Sequence, residues 1–169
     1  MELKQGFPPI AGKTAKVLIL GTMPGEESLR QNEYYGHPRN SFWKIMACLF
    51  GFDFSLRYEE RTKILLKNRI ALWDVMKSCE RKGSLDANIN DETIIENDFA
   101  SFFQRYSNIR NVFFNGAKSE AEYIKRVLPK LSGSEHKIKY KRLPSTSPAM
   151  AQLSFDAKLK EWSMIKAII

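Results

Sequence analysis

Three short apolar runs, separated by amphipathic stretches, constrain the fold of this chain more than any other feature. The runs occupy residues 16–21, 70–75 and 109–115 and consist mainly of aliphatic and aromatic residues. Continuous apolar runs of this length are typical of strands that are buried on both faces of a parallel sheet. Residues 137–143 alternate basic and apolar side chains, which predicts a fourth strand with one exposed face.

The stretches between these runs predict helices. After Pro38, whose ring suits a first helical turn, apolar residues share one helical face until Gly51 ends the pattern. Residues 57–68 predict a second helix, Asp91 can cap a third, and residues 78–90 predict a loop because they are polar and contain a glycine. The predicted apolar faces consist of Phe42, Met46, Leu49 and Phe50; Ile95, Phe99 and Phe102; Ala121, Ile124 and Leu128; and Leu159, Trp162, Ile165 and Ile169. The alternation predicts an α/β fold, a three-layer α/β/α sandwich around a central, mostly parallel four-stranded sheet.

Length and composition predict one folded domain that spans residues 1–169. A chain of 169 residues, of which 43% are hydrophobic, can bury a core of its own. The longest apolar stretches, such as residues 17–20, are much shorter than a membrane span, and residues 1–4 lack the hydrophobic region of a signal peptide. We therefore expect no membrane partner and a cytoplasmic location, or a nucleoid-associated one.

The cysteine and histidine content predicts no metal site. The two cysteines, Cys48 and Cys79, cannot hold a zinc or iron–sulfur site unaided, and the two histidines, His37 and His136, add few further ligands. Apolar residues flank Cys48, and Ser78 and Glu80 flank Cys79. We expect both cysteines to pack as free thiols in a reducing compartment.

The net charge of +8 indicates a polyanionic partner, because a basic surface has sequence-independent affinity for phosphate backbones. Residues 118–142 contain eight basic side chains and three acidic ones. Surface lysines that only increase solubility would give the same charge, so the motifs must decide between these interpretations.

Two of the motifs are loops that follow predicted strands. The loop Gly21-Thr22-Met23-Pro24-Gly25 allows close backbone approach, and its amides can bind an anion or a base carbonyl, although ordinary chain reversal needs the same residue types. The loop at residues 143–150 is stiffened by two prolines and is rich in hydroxyls, which suits contacts to DNA phosphates. Ala149 or Met150 could insert into the base stack, but a serine- and proline-rich segment is often only a turn.

The third motif is the segment 34–43, which concentrates aromatic residues, an amide, a histidine and an arginine at a predicted helix start. A base that is flipped out of DNA needs an aromatic face and fixed hydrogen-bond partners, and Phe42 with Asn40 offers both. Trp43 fits a core position equally well, Arg39 a solvated one, and Asn40 a local helix cap.

Taken in their order along the chain, the three motifs resemble the mismatch-specific branch of the uracil-DNA glycosylase superfamily, and most closely its hypoxanthine-DNA glycosylase branch. The resemblance covers residues 6–149, with a Gly-x-x-Pro-Gly loop, an aromatic–His-Pro-x-Asn-x-Phe-Trp segment and a Pro-Ser-x-Ser-Pro loop. It implies a uracil-DNA glycosylase-like sandwich and a monofunctional DNA glycosylase that removes a deaminated base, hypoxanthine and/or uracil, in base excision repair. The implied partner is DNA containing a damaged or mismatched base, bound by a monomer without a cofactor.

The resemblance also implies site residues. Many members carry Asp or Asn where this chain has Met23, and methionine cannot orient water. The resemblance to the hypoxanthine branch implies that the catalytic asparagine lies in the helix-entrance motif instead, where the matching residue is Asn40, which would position the attacking water without acting as a base. The expected base-binding pocket comprises Gly21, Thr22, Met23, Pro24, Tyr35, Phe42 and Asn115, and the expected DNA-binding residues are Ser145, Thr146, Ser147, Pro148 and Ala149. Asn115 could equally cap the end of its strand, and His37 is left outside the catalytic set.

Two departures and two alternatives complete the prediction. The loop at residues 143–150 begins with Leu143 or Pro144 instead of the family's His or Asn, so this loop is not expected to assist the transition state. The motif loops contain no lysine for a lyase reaction. A non-catalytic nucleic-acid-binding module could use Phe42, Tyr34 and Tyr35 for stacking. An enzyme acting on free nucleosides or nucleotides could use the first loop for phosphate but would not need the basic segment.

Overall fold

A parallel four-stranded sheet forms the centre of the computed structural model, which describes residues 2–133 and 137–169. The strands are β1 (Leu3–Gln5), β2 (Val17–Gly21), β3 (Ile70–Asp74), β4 (Met76–Glu80), β5 (Ile95–Glu96), β6 (Asn111–Asn115) and β7 (Lys139–Leu143). The helices are α1 (Glu26–Gln31), α2 (Phe42–Phe50), α3 (Tyr58–Lys67), α4 (Phe99–Arg105), α5 (Ala117–Glu122) and α6 (Phe155–Trp162). The central sheet has the order β3-β2-β6-β7, and all of its neighbouring strands are parallel, as the apolar runs predict.

Helices cover both faces of this sheet, which confirms the predicted three-layer sandwich. Alternate residues of each strand point to opposite faces, so β2 contributes Ile19 to one core and Leu18 to the other. The first core contains side chains of α2, α3 and α6, such as Phe42, Leu65 and Trp162. The second core contains α4 and the turn after α5, and it is rich in aromatic residues.

A second, antiparallel sheet of order β1-β4-β5 corrects the loop predicted at residues 78–90. β4 follows β3 after one residue and pairs with β1, more than seventy positions earlier in the chain. Its polar residues hid the strand, whereas Met76 and Cys79 are fully buried and form a third small core with Met23. Cys48 is exposed, so the expected packing role is wrong for that cysteine; both thiols are free.

Two helix predictions are also wrong in detail. The helix expected from Asp91 begins at Phe99, because the Asp98 side chain accepts a hydrogen bond from the Ser101 backbone N–H at 3.0 Å and caps it there. Ile95 lies in β5 instead.

In the helical segment from α5 through the π-helical turn Tyr123–Val127, the expected apolar face of Ala121, Ile124 and Leu128 is exposed. Tyr123 and Val127 are buried in its place. Both sets have helical spacing, and only the packing against the sheet selects between them.

The parallel strands bring their carboxyl ends to one edge of the sheet. Gly21 of β2 lies opposite Asp74 of β3, and Asn115 of β6 lies opposite Leu143 of β7. Ligands of open α/β sheets bind at this edge. Within the described ranges, no helix is both long and apolar enough to cross a membrane.

Candidate active site

The three sequence motifs converge on one cavity of about 610 Å³ at the carboxyl edge of the central sheet. Its walls come from the loop after β2, the segment before α2, the ends of β3 and β6, the loop after β4 and the loop after β7. The predicted site residues that line it are Gly21, Thr22, Met23, Pro24, Tyr35, Asn40, Asn115, Ser145, Thr146, Ser147, Pro148 and Ala149. Of the predicted base-pocket and catalytic residues, only Phe42 is missing from the cavity wall.

Arg81, a residue that the sequence analysis did not identify, holds the backbone of the loop at residues 21–25, which we call the first loop. The Arg81 guanidinium is 1% exposed and donates hydrogen bonds to the backbone carbonyls of Met23, Pro24 and Gly83. Thr22 donates its hydroxyl hydrogen bond to Asp86 at 3.0 Å. These contacts give the loop a defined backbone conformation at the cavity wall.

The segment before α2 places Tyr35, and not Phe42, on the cavity wall. Phe42 is completely buried, and its ring stacks on that of Tyr35 with the centroids 4.0 Å apart. Tyr35 adopts a left-handed backbone conformation with φ of 56°. Trp43 lies in the core and donates its indole N–H to the Tyr34 carbonyl, so the core interpretation of Trp43 holds.

Asn40 lines the cavity and also caps the start of α2. Its Oδ1 atom accepts a hydrogen bond from the Phe42 backbone N–H at 3.0 Å. An amide oxygen has two lone pairs, so this bond leaves one acceptor position and the NH₂ group for a further ligand. The cap and the catalytic interpretation are therefore compatible.

Asn115 and Thr146 bind each other and join the end of β6 to the loop after β7, residues 143–150, which we call the third loop. The Asn115 side chain donates to the Thr146 hydroxyl and accepts from the Thr146 backbone N–H, both at 2.9 Å. The Thr146 carbonyl accepts from the backbone N–H and the hydroxyl of Ser41 at the start of α2. Thr146 is 1% exposed, so its polar groups stabilise the loop, whereas Ser145, Ser147, Pro148 and Ala149 are partly or fully accessible.

Asp74 at the end of β3 is the most important cavity residue that the sequence analysis missed. Its side chain is almost completely buried, and its Oδ2 atom has no hydrogen-bond partner among the described residues. The pKa of Asp74 is raised to about 7, mainly by burial and also by the negative charge of Asp86, while the positive charge of Arg81 opposes the shift. The sequence contained a signal for Asp74, namely a carboxyl at the end of an otherwise apolar strand.

The basic segment 118–142 is only partly available for DNA. Its ion pairs join Lys118 to Asp91 and Glu122, Arg126 to Glu122, Lys130 to Glu96, and Arg142 to Glu120. Over residues 2–133 and 137–169, no ion pair involves Lys125, Lys137, Lys139 or Lys141. Lys139 and Lys141 lie on β7, which leads directly into the third loop; Glu135 and His136 lie outside the described residues.

Gly21 is required at its position because a side chain there would collide with Asp74. A Cβ atom at Gly21 would lie 2.3 Å from Asp74 Oδ1 and 3.3 Å from the Tyr35 hydroxyl. We expect Gly21→Ala to displace the Asp74 side chain and to lower the single-turnover rate constant on a cleavable DNA substrate by roughly tenfold or more. The matched control is Gly12→Ala, whose added methyl would meet only Leu66 at 3.8 Å. Equal activity of Gly21→Ala and the wild type would mean that the position of Asp74 is unimportant.

Comparisons with known proteins identify the family of this chain. The family profile described as the Uracil DNA glycosylase superfamily matches residues 8–168. The chain is 43% identical over 137 residues to the hypoxanthine DNA glycosylase of Methanosarcina barkeri, a match that covers 80% of this chain and 83% of that protein. It is 38% identical over 164 residues to the hypoxanthine DNA glycosylase of Methanosarcina acetivorans, which covers 96% and 98% of the two chains.

A solved structure extends the match to the fold. The solution NMR structure of a candidate uracil DNA glycosylase from Methanosarcina acetivorans superposes with a TM-score of 0.80 at 34% sequence identity, and the match covers 99% of both chains. The chain therefore belongs to the uracil DNA glycosylase superfamily and is a DNA glycosylase.

Proposed function

We propose that this protein is a monofunctional DNA glycosylase that hydrolyses the N-glycosidic bond of a deaminated base, hypoxanthine and/or uracil, in base excision repair. The observation that carries the proposal is the convergence of the three motifs on one cavity of about 610 Å³, with Asn40 on its wall. The relatives named hypoxanthine DNA glycosylase support hypoxanthine as the first base to test.

The target base must leave the DNA stack to enter this cavity. Tyr35 supports such a step, because its ring lines the cavity and is held from behind by the fully buried Phe42. An aromatic ring held on one face by another ring meets the base in a fixed orientation at little entropic cost. We therefore assign the aromatic contact with the base to Tyr35 and a supporting role to Phe42.

Hydrolysis at this site needs a positioned water and a stabilised leaving base. The bond between C1′ and the base nitrogen breaks and leaves its electron pair on the base. Water adds to C1′, and the proton that it loses ends on the base, so the products are the free base and an abasic sugar. We assign the positioning of water to Asn40 and part of the leaving-group stabilisation to backbone N–H groups of Thr22 and Met23.

The third loop is proposed to hold the DNA backbone. Ser145, Ser147, Pro148 and Ala149 form part of the cavity rim, while buried Thr146 fixes the loop to β6 and α2. Lys139 and Lys141 on the preceding strand add positive charge. Because Ala149 is exposed at the rim, it is the candidate for insertion into the stack, with Met150 beside it.

We further propose that residues 1–169 form one catalytic domain that acts as a monomer in the cytoplasm. This chain alone lines the cavity and supplies all three motifs. The free thiols of Cys48 and Cys79 fit a reducing compartment.

The test is a single-turnover cleavage assay on duplexes that carry one deoxyinosine or one deoxyuridine, analysed with and without alkali. We expect strand cleavage at the lesion only after alkali, because a monofunctional enzyme leaves an intact abasic strand. Cleavage without alkali would contradict the monofunctional assignment.

Two controls separate the alternative functions. Salt-dependent binding of the duplexes without any release of base would favour the binding module. Hydrolysis of free deoxyinosine at a rate similar to that on DNA would favour a small-molecule enzyme instead.

A further inference from the structure

Two buried oxygen atoms at the cavity are not explained by the fold. The Tyr35 hydroxyl and Asp74 Oδ2 are both inaccessible to solvent, and Asp74 Oδ2 has no hydrogen-bond partner within the described ranges. The Tyr35 hydroxyl is near the Asn115 amide, which lowers the pKa of Tyr35 slightly against the larger effect of burial but directs its own two bonds to Thr146. Leaving such a group unpaired costs about 1–3 kcal/mol, so buried polar atoms without partners are rare and need a reason. Both residues line the cavity proposed to receive the base.

The two side chains lie close together. The Tyr35 hydroxyl and Asp74 Oδ1 are within 3.3 Å and 2.3 Å of the same point, the position that a Cβ atom would take at Gly21. The absence of a side chain at Gly21 is what lets the Asp74 carboxyl and the Tyr35 hydroxyl approach this point. We call these two residues the Tyr35–Asp74 pair.

The surroundings of the pair favour its neutral, proton-bearing form. Asp86 places a second carboxyl near Asp74. The positive charge of Arg81 opposes its effect on the pKa of Asp74, but the Arg81 guanidinium is hydrogen-bonded to carbonyls of the first loop. Burial raises the pKa of Asp74, and burial and the Asp74 charge also raise the pKa of Tyr35. A base that enters the cavity would exclude more water and shift the carboxyl in the same direction.

We propose that the Tyr35–Asp74 pair donates two O–H hydrogen bonds to the carbonyl oxygen of the flipped base and stabilises the negative charge that develops there as the glycosidic bond breaks. This inference rests on the proposed function and adds two catalytic residues to it. A known oxyanion hole combines the same two groups, a tyrosine and a protonated aspartic acid in an apolar site.

The pair also accounts for a preference for deaminated bases. Deamination replaces an exocyclic amino group with a carbonyl oxygen and creates a lactam edge, which hypoxanthine, xanthine and uracil share. Two O–H donors match that oxygen, whereas the amino group of adenine or cytosine would meet them with its own donors. A site that leaves buried donors unpaired discriminates strongly against the wrong ligand.

The experiment is a pH profile of the single-turnover rate constant on a deoxyinosine duplex, from about pH 5.5 to about pH 9. If the neutral Asp74 acid is required, the wild-type rate falls about tenfold per pH unit above the pKa of Asp74. Asp74→Asn, which keeps a donor but cannot ionise, should retain activity and lose this decrease. Asp74→Leu should lose roughly 100-fold or more at every pH.

Other titratable groups near the pair are tested separately. Asp86→Asn removes the neighbouring negative charge, so the decrease should begin at a lower pH. Tyr35→Phe keeps the ring on Phe42 and removes only one donor, so it should be slower than the wild type and keep the decrease. His37 also lines the cavity, and His37→Gln tests whether this side chain contributes to the pH profile.

A stability measurement reports the titration of Asp74 without any activity. The folded-state pKa of Asp74 lies above its unfolded value, so the wild type loses stability as pH rises from about 4 to about 7. The melting temperature of Asp74→Asn relative to the wild type should therefore increase over that interval and then level off.

The possible outcomes are distinct. An unchanged alkaline decrease in Asp74→Asn, or full activity in Asp74→Leu or Tyr35→Phe, would overturn the inference while the glycosylase function stands. A wild type that releases no base from any duplex would overturn the proposed function and the inference together.

Discussion

Asn40→Ala is expected to lower the single-turnover rate constant on a deoxyinosine duplex by roughly 100-fold or more, with little change in affinity for the duplex. A group that positions a reacting water typically contributes about 10²–10⁴-fold, and a misplacement of about 1 Å can cost 100-fold. Asn40 has the required access, because it lines the cavity while its Oδ1 atom keeps one acceptor position. The measurement is the same alkali-dependent assay that tests the function.

Because Asn40 also caps α2, a lower rate of Asn40→Ala could come from lost stability, and Asn40→Ser separates the two effects. Asn40→Ala loses the hydrogen bond to the Phe42 N–H and should destabilise the fold by about 1 kcal/mol. Asn40→Ser restores a capping oxygen but is too short to hold a water at the same place. We expect Asn40→Ser to recover stability without recovering the rate. A recovered rate would assign Asn40 to the helix cap alone.

The central sheet could be predicted from sequence because the strands that form it are apolar. The observed bounds of β2, β3 and β6 lie inside the predicted runs, and Gly51 ends α2 in a left-handed conformation. β4 could not be predicted in this way, because its stability comes from pairing with the distant β1 and from packing beneath Met23. A local pattern does not contain that information.

The candidate site also has a part that the sequence could predict and a part that it could not. Motifs that follow parallel strands must meet at one sheet edge, so their convergence was predictable. The exchange of roles between Phe42 and Tyr35 was not, because it depends on the left-handed backbone of Tyr35, which the sequence does not indicate for a tyrosine. Asp74 was missed because it was interpreted as part of an apolar strand.

Asn115 shows why a residue at the right place need not act directly. Its position at the end of β6 suggested contact with a base edge, yet its amide forms two hydrogen bonds with Thr146. Those bonds tie the third loop to the sheet, and Ser41 ties the same loop to α2. The motifs are therefore connected to one another as well as to the cavity, so a change in one should disturb the others.

Arg81→Met is expected to have the largest effect on stability, because it removes the group that holds the first loop. The variant leaves the carbonyls of Met23, Pro24 and Gly83 without their donor in a buried environment. Hydrogen bonds to a charged group contribute about 1.5–3 kcal/mol each, and they are not additive, so we expect a loss of about 3 kcal/mol. For a chain of this size, that loss lowers the melting temperature by roughly 6–12 °C. Arg105→Met, at an exposed position of α4, is the matched control and should change stability by less than about 0.5 kcal/mol.

The same variant connects the loop to the chemistry at Asp74. Arg81 lowers the pKa of Asp74 against the larger effects of burial and Asp86, so its removal should raise that pKa further. Folded Arg81→Met, assayed well below its melting temperature, should therefore show reduced activity from the loosened loop together with an alkaline decrease displaced to higher pH. Arg81→Lys keeps the positive charge but not the planar arrangement of donors, so it should lose stability while the pH profile stays close to that of the wild type. A stable Arg81→Met with an unchanged profile would show that the first loop and the Asp74 carboxyl are controlled by other contacts.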